Sequence, residues 1–366
     1  MISINQPWIG EEEKLEVMKV LEENALTSAS NDGGKRVQIL ESLLERFLNI
    51  DNVIVLNSGT AAIYAALLCL GIGPGDEVLL PSFTFVATAN SVIATGAKPV
   101  FVDINTKDYT MDIKDLKEKI TKRSKAIIPV HLYGHPADME EILEVAATQS
   151  LEIIEDACQS LGSTYDNLQT GTIGKIGCFS FYASKVLTAG EGGAVSTKDK
   201  ELASILKMIR NHGMVEGNDT RRLGLNLRLP ELCAAIASVQ MNRLPALLGG
   251  RRKNSKILTE LLSSIHGKLN IPFESERKKF NWYLYTVAFQ SESTRDKIQN
   301  ALIREGIGAT IYYAPPVHKT PYYSNVGLVH LPNTDSAASH VLSLPVHPRL
   351  SEEDMNLIVN CIKKKI

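Results

Sequence analysis

The stretch that decides the fold is VIVLNSGTAAIYAALLCLGIGPGDEVLL, residues 53–80. Its first four residues, Val53 to Leu56, are apolar and indicate a buried strand. A helix is predicted directly behind this strand, from Thr60 to Leu70, and the run from Gly71 to Asp76 has the composition of a turn. A second apolar strand, Val78 to Leu80, follows. This order of strand, helix and strand predicts a sheet of the α/β class.

The same alternation continues toward residue 154. The predicted elements are a helix at Thr84–Thr95, a strand at Pro99–Ile104, a helix at Asp112–Ile120, a strand at Ala126–Val130, a helix at Met139–Thr148 and a strand ending in Ile153-Ile154. Strands that alternate with helices form largely parallel sheets with helices on both faces. We therefore expect a large domain over residues 11–245.

The pattern changes near residue 230. A helix is predicted from Pro230 to Leu244, and Pro245 and Gly249-Gly250 are expected to interrupt it. Later elements are a strand at Tyr283–Phe289, a helix at Thr294–Arg304 and a last helix from Ser351 onward. Fewer strands and a different rhythm predict a smaller C-terminal α+β domain over residues 246–366, with residues 1–10 packed nearby.

Composition and charge exclude several functional classes. The 366 residues carry a formal net charge of −2, which gives no basic surface for nucleic acid. The longest apolar helical run, Ala61 to Leu70, is ten residues long and too short to span a membrane. Five scattered cysteines form no C-x-x-C pair, which argues against a metal site and is typical of reduced thiols. We expect a cytoplasmic protein without a metal.

The segment Asn57-Ser58-Gly59-Thr60-Ala61 lies where the first strand ends and the helix begins. The N-terminus of a helix offers unpaired amides and a positive dipole, which together suit a phosphate group. The hydroxyls of Ser58 and Thr60 can add hydrogen bonds, and Gly59 allows an oxyanion to approach the backbone. An ordinary N-cap, with no ligand, is the alternative interpretation.

The segment Glu155-Asp156-Ala157-Cys158-Gln159 follows another predicted strand. Ligands of open parallel sheets bind beyond the carboxyl ends of the strands. A carboxylate at Asp156 could therefore pair with a protonated pyridine nitrogen, which is the electron sink of a pyridoxal cofactor. A helix-capping aspartate is the alternative.

Lys185 lies between the apolar strand Cys178–Tyr182 and the glycine-rich run Thr188–Ala194. A lysine in a pocket can attack an aldehyde once its amine is uncharged. A solvated surface lysine is the alternative. Phe85, in Pro81-Ser82-Phe83-Thr84-Phe85, could stack on a pyridine ring or belong to the core.

Taken together, these segments resemble the DegT/DnrJ/StrS family of PLP-dependent nucleotide-sugar aminotransferases. The resemblance covers nearly the whole chain, and its most specific parts are PSFTFVATANSVIATGAKPVFVD at 81–103, EDACQSLG at 155–162 and SFYASK at 180–185. It implies fold type I of the PLP-dependent transferases, in which a mostly parallel seven-stranded sheet lies between helices. It also implies a homodimer with shared active sites.

The resemblance assigns roles to individual residues. Lys185 would hold pyridoxal 5′-phosphate as a Schiff base and move protons, and Asp156 would contact the pyridine nitrogen. The other residues implied are Gln159 at the ring hydroxyl, Phe85 stacked on the ring, Gly59, Thr60 and Ser180 at the phosphate, Asn226 reaching the phosphate of the partner subunit, and Arg228 and His318 at the substrate.

The same resemblance suggests the reaction. An amino donor, L-glutamate, would supply the amino group for a nucleotide-linked keto-sugar, with a 4-keto-6-deoxyhexose expected first and a 3-keto sugar second. Leu225 or Leu227 stands where relatives often carry an aromatic residue, and Pro230-Glu231 replaces a more usual polar pair, so the sugar preference stays open. A sugar dehydratase would carry histidine in place of Lys185, and a non-catalytic regulator is the remaining alternative.

Overall fold

The computed structural model describes residues 1–265, 267–326 and 329–366. The strands are β1 Asn52–Leu56, β2 Glu77–Pro81, β3 Lys98–Val102, β4 Ser124–Ile127, β5 Glu152–Asp156, β6 Thr164–Tyr165, β7 Leu168–Gln169, β8 Ile176–Ser180, β9 Gly193–Thr197, β10 Leu269–Asn270, β11 Lys278–Lys279, β12 Tyr285–Phe289 and β13 Val341–Leu344. The α-helices are α1 Glu11–Glu22, α2 Lys35–Leu48, α3 Gly59–Cys69, α4 Ala87–Ala94, α5 Ile113–Lys119, α6 Met139–Gln149, α7 Lys200–Arg210, α8 Glu231–Ser263, α9 Glu292–Arg304, α10 Pro332–His340 and α11 Glu352–Lys363.

The main sheet has seven strands in the order β1-β9-β8-β5-β4-β2-β3. Strands β3, β2, β4, β5 and β8 pair in parallel, whereas β9 is antiparallel to both β8 and β1. The prediction of a mostly parallel sheet is confirmed.

Both faces of this sheet are covered by helices. In β1, Val53 and Val55 belong to one apolar core together with residues of α2 and α8. The alternate residues, Ile54 and Leu56, belong to a second core with residues of α3 and α7. Successive side chains of a strand point to opposite faces, so a run that is apolar throughout is buried on both sides.

A smaller sheet, β10-β12-β13, lies in the C-terminal third and shares an apolar core with α9 and α11. The N-terminal segment joins this part of the chain. Ile2 forms a parallel bridge with Ile307, and the ring of His347 lies 3.2 Å from the carbonyl oxygen of Ser3.

Helix α8 corrects the sequence interpretation. It runs unbroken over 33 residues, through Pro245 and Gly249-Gly250, so the predicted interruption was wrong. A proline inside a helix costs about 3 kcal/mol. Leu244, Leu247 and other apolar residues of α8 are buried against α1, α2 and α11, and each buried leucine contributes about 1.5–3 kcal/mol, which offsets that cost. The proposed domain boundary at 245/246 lies inside this helix, and the division into two domains stays a prediction.

No helix in the described ranges combines the length and the apolar composition needed to cross a bilayer.

Candidate active site

One cavity of about 470 Å³ lies beyond the carboxyl ends of the parallel strands. It is lined by eight of the residues singled out from the sequence, which are Ser58, Gly59, Thr60, Phe85, Asp156, Gln159, Ser180 and Lys185. Lys185 and Asp156, on which the predicted chemistry depends, therefore face the same space.

The N-terminus of α3 forms one wall of the cavity. The hydroxyl of Ser58 accepts a hydrogen bond from the N–H of Ala61 at 3.1 Å, so Ser58 is the N-cap of α3. This cap leaves the amides of Gly59 and Thr60 without partners in the helix. A Cβ at Gly59 would lie 2.8 Å from the Cβ of Ser180, so only glycine fits between the helix and β8. Free amides, nearby hydroxyls and a helix N-terminus together suit a phosphate.

Asp156 ends β5 and is 5% exposed. One carboxylate oxygen accepts a hydrogen bond of 2.7 Å from the hydroxyl of Thr88, and the other accepts one of 3.2 Å from the N–H of Cys158. The carboxylate is therefore fixed in direction. Thr88 was missed by the sequence interpretation, since a threonine inside an apolar helix carries no signal of its own.

The segment before α4 explains how the cavity gains an aromatic wall. A helix was predicted from Thr84, but α4 begins at Ala87, which leaves Thr84 and Phe85 in a loop that lines the cavity. Phe85 is 54% exposed, whereas its neighbour Phe83 is fully buried. The core interpretation therefore does not hold for Phe85, which is free to contact a ligand, whereas Phe83 belongs to the core.

Lys185 reaches the cavity as a half-buried side chain. Its amine lies 4.6 Å from the ring centre of Tyr283, within the range of a cation–π interaction. In the parts of the chain that the structure describes, no carboxylate lies within ion-pair distance of this amine. The surface-lysine interpretation does not fit these surroundings.

The side chain of Gln159 is held by two hydrogen bonds, one to a backbone N–H and one to a side-chain hydroxyl. Its side-chain oxygen accepts from the N–H of Tyr133 at 2.9 Å, and its amide nitrogen donates to the hydroxyl of Tyr313 at 3.2 Å. Burial raises the pKa of Tyr313 well above its usual range, so this phenol keeps its proton. Together with Tyr312 and Tyr283, Tyr313 forms an aromatic wall that the sequence interpretation missed.

Two of the remaining predicted residues lie outside the cavity of this chain. Asn226 is exposed, and its carbonyl oxygen accepts from the side chain of Asn57 at 3.3 Å. Arg228 donates to the side-chain oxygen of Asn211 at 2.6 Å.

His318 also lies outside the cavity. Its Nδ1 is 2.7 Å from the hydroxyl of Ser82, its Nε2 is 3.3 Å from a carboxylate oxygen of Asp335, and burial lowers its pKa. The roles predicted for these three residues stay predictions.

Comparison with known proteins agrees with this geometry. The family model described as the DegT/DnrJ/EryC1/StrS aminotransferase family matches residues 7–363.

The chain belongs to the DegT/DnrJ/EryC1/StrS aminotransferase family.

Relatives of this aminotransferase are similar over nearly their whole length. A UDP-N-acetyl-3-dehydro-alpha-D-glucosamine 3-aminotransferase of Acidithiobacillus ferrooxidans is 39% identical, over 93% of this chain and 91% of that protein. A protein of Geobacillus stearothermophilus named a pleiotropic regulatory protein is 38% identical, over 96% of this chain and 95% of the other.

A solved structure extends the similarity to the fold. NtdA of Bacillus subtilis, with bound cofactor PMP, has a TM-score of 0.89 and 31% identity, over 97% of this chain and 81% of that one. The predictions of the family, of fold type I, of a nucleotide-sugar aminotransferase and of pyridoxal phosphate as its cofactor are confirmed.

Proposed function

We propose that this aminotransferase moves an amino group from L-glutamate to a nucleotide-linked keto-sugar, with Lys185 as the residue that binds the cofactor covalently. The observation that carries the proposal is the cavity itself. It contains an amine without a carboxylate partner among the described residues, a carboxylate fixed by Thr88, and the open N-terminus of α3.

The residues that line the cavity fit pyridoxal 5′-phosphate. The amides of Gly59 and Thr60 and the hydroxyl of Ser180 would hold the phosphate, and Phe85 would face the ring. Asp156 would lie at the ring nitrogen and Gln159 at the ring hydroxyl. When bound, the cofactor supplies a positively charged ring that accepts electrons from the carbon being deprotonated.

The chain's own groups do the remaining work. Lys185 Nζ would take the proton from the carbon of the donor that bears the amino group and would hold it inside the cavity until it is returned. Asp156 stabilises the positive charge of the ring through its fixed orientation. The tyrosine wall of Tyr283, Tyr312 and Tyr313 limits the access of water to this proton transfer.

The test is chemical trapping at Lys185. Borohydride reduction of the wild-type protein with pyridoxal phosphate, followed by peptide mass spectrometry, should place the cofactor on Lys185. Lys185→Ala should lose both the trapped adduct and all transamination. Asp156→Asn should lower turnover far more than cofactor content. Normal turnover by Lys185→Ala would remove this lysine from the mechanism.

Two sugar classes are candidates for the acceptor. The family resemblance suggested a 4-keto-6-deoxyhexose first, whereas the relative from Acidithiobacillus ferrooxidans is named for a 3-dehydro sugar, which supports a 3-keto substrate. A panel of nucleotide-linked 3-keto and 4-keto sugars, with glutamate as donor and mass-spectrometric detection, distinguishes the two. If the protein aminates neither class of sugar, the proposal is contradicted.

A homodimer with shared active sites is part of the proposal. Asn226 is exposed and outside its own cavity, as expected for a residue that reaches the partner's phosphate. Mixing inactive Lys185→Ala and Asn226→Ala chains should restore part of the activity, because one of the two mixed sites is then intact. Arg228 and His318 are proposed to contact the sugar nucleotide, and the cytoplasmic location stays a prediction.

A non-catalytic regulator is the second candidate, and the name of the Geobacillus stearothermophilus relative favours it. A chain that binds pyridoxal phosphate at Lys185 yet aminates no keto-sugar of the panel would support the regulator.

A further inference from the structure

Arg251 is a buried cation that the proposed reaction does not use. It lies in the middle of α8 and is 3% exposed. One terminal nitrogen donates to the carbonyl oxygens of Trp282 and Tyr283, both at 3.1 Å, and the other donates to the side-chain oxygen of Asn5 at 2.6 Å. Burial lowers its pKa to about 10, so the guanidinium is still charged at neutral pH.

Arg251 differs from the other buried arginines in the described part of the chain. Arg36, Arg210 and Arg295 are equally buried, and each pairs with a carboxylate. No carboxylate among the described residues pairs with Arg251, whose partners are three neutral oxygens. Burying a charge without an oppositely charged partner costs free energy. We therefore infer that Arg251 occupies this position because of the neutral groups that it holds.

The first partner of Arg251 is Asn5, which holds the backbone directly before Lys185. Asn5 accepts from Arg251 through its side-chain oxygen, and its side-chain nitrogen donates to the carbonyl oxygen of Ser184 at 2.5 Å. Ser184 directly precedes Lys185. Because the amide of Asn5 needs its oxygen on one side and its nitrogen on the other, Arg251 fixes the orientation in which Asn5 holds this carbonyl.

The second partner of Arg251 is Tyr283, whose ring lies beside the amine of Lys185. The carbonyl of Tyr283 accepts from Arg251, the hydroxyl of Tyr283 lies 3.1 Å from that of Ser184, and its ring lies 4.6 Å from Lys185 Nζ. Arg251 therefore contacts Asn5, which holds the residue before Lys185, and the backbone of Tyr283, whose ring faces the lysine amine.

We propose that Arg251 and Asn5 are positioning residues for Lys185. Together they fix the distance between the backbone of Ser184, directly before the lysine, and the ring of Tyr283 beside the lysine amine. The inference rests on the proposed role of Lys185. It assigns a function in the active site to residues near the N-terminus and to the middle of α8, neither of which lines the cavity.

Asn5→Asp separates positioning from stability. The new carboxylate still accepts from Arg251 and neutralises its charge, but it has no N–H to donate to Ser184. Resistance to denaturant should therefore be unchanged or higher. The rate at which cofactor-free protein forms a borohydride-trappable bond with pyridoxal phosphate should fall about 10- to 100-fold, since small displacements of a reacting group have effects of this size.

A second readout needs no cofactor. Hydrogen exchange in the peptide spanning residues 182–187 of the cofactor-free protein should be faster in Asn5→Asp, because the Ser184 carbonyl has lost its donor. Arg251→Lys should show the same acceleration, since a single ammonium cannot reproduce a fork that donates in two directions. Asn356→Asp, the same change at an exposed helical position, is the matched control and should behave as wild type.

The outcomes separate the inference from the proposed function. Wild-type trapping and exchange in Asn5→Asp would overturn the inference, as would a loss of reactivity that is matched by a loss of stability. If wild-type protein traps no cofactor on Lys185, the proposed function fails, and the hydrogen-exchange comparison still decides whether Asn5 and Arg251 hold this segment.

Discussion

Removing the hydroxyl of Thr88 tests the proposed contact between Asp156 and the ring nitrogen of the cofactor. Thr88 is 1% exposed and donates its 2.7 Å hydrogen bond to Asp156, a residue that is itself 5% exposed. Thr88→Val keeps the shape of the side chain and removes this donor. Water cannot easily replace the donor at such a buried position, so the carboxylate loses its fixed direction.

The magnitude follows from the strength of that bond. A hydrogen bond to a charged group contributes about 1.5–3 kcal/mol, and each 1.4 kcal/mol corresponds to roughly a factor of ten in an equilibrium constant. Thr88→Val should therefore weaken the binding of pyridoxal phosphate by about 10- to 150-fold at most. Titration of the cofactor-free protein, followed by absorbance, measures the dissociation constant directly.

Two further variants make the result interpretable. Thr88→Ser keeps the hydroxyl and should bind the cofactor nearly as wild type does. Thr95→Val makes the same chemical change at the end of the same helix, where the hydroxyl donates only to the carbonyl of Val92, and should leave binding unchanged. Wild-type affinity in Thr88→Val, or an equal loss in Thr88→Ser, would refute the reasoning.

Three other predictions concern stability, each measured by denaturant unfolding. Gly249→Ala should stabilise the protein by about 0.5–1 kcal/mol, because the added methyl meets open space in a continuous helix, whereas Gly250→Ala places its Cβ 2.7 Å from Pro348 and should destabilise it by about 1–3 kcal/mol. Equal effects would argue against an unbroken α8. Burial lowers the pKa of His135 to about 4, so the unfolded chain binds a proton first, and stability should fall as the pH drops from about 6.5 to about 4, by up to about 1.4 kcal/mol per pH unit. His135→Phe should flatten this slope, and an unchanged slope would exclude His135 as its source. Arg210→Met should cost about 3–5 kcal/mol by leaving its buried carboxylate partner unpaired, whereas Lys14→Met, at an exposed pair, should change stability by less than about 1 kcal/mol. A small effect at Arg210 would show that its partner is neutral in the folded state.

The sequence predicted most of the cavity because its residues occupy fixed places along the alternating pattern. Asp156 is the last residue of β5, and Gly59 is the first residue of α3, the helix that follows β1. In a parallel sheet the carboxyl ends of all strands lie at the same edge, so residues at these positions come close together. The periodicity of the sequence therefore placed Asp156 and Gly59 at one edge of the sheet, whereas the family resemblance implied that Lys185 joins them there.

The sequence did not predict the length of α8, because Pro245 and Gly249-Gly250 are helix breakers by their intrinsic preference. The buried leucines on either side of Pro245 outweigh that preference, and this packing is a property of the folded molecule. Local preference was overruled by contacts with helices that are distant along the chain.

What the sequence determined by itself is the class of fold, since strand ends and helix starts are set by short local patterns, and the family and its cofactor, through motifs that resemble those of known aminotransferases. What only the tertiary structure decided is the set of contacts that hold those residues in place. Thr88 reaches Asp156 across 68 positions of the chain, and Arg251 reaches Asn5 across 246. Such pairs leave no periodic signal, because a hydrogen bond depends on distance in space, and only the packing of the whole chain sets that distance.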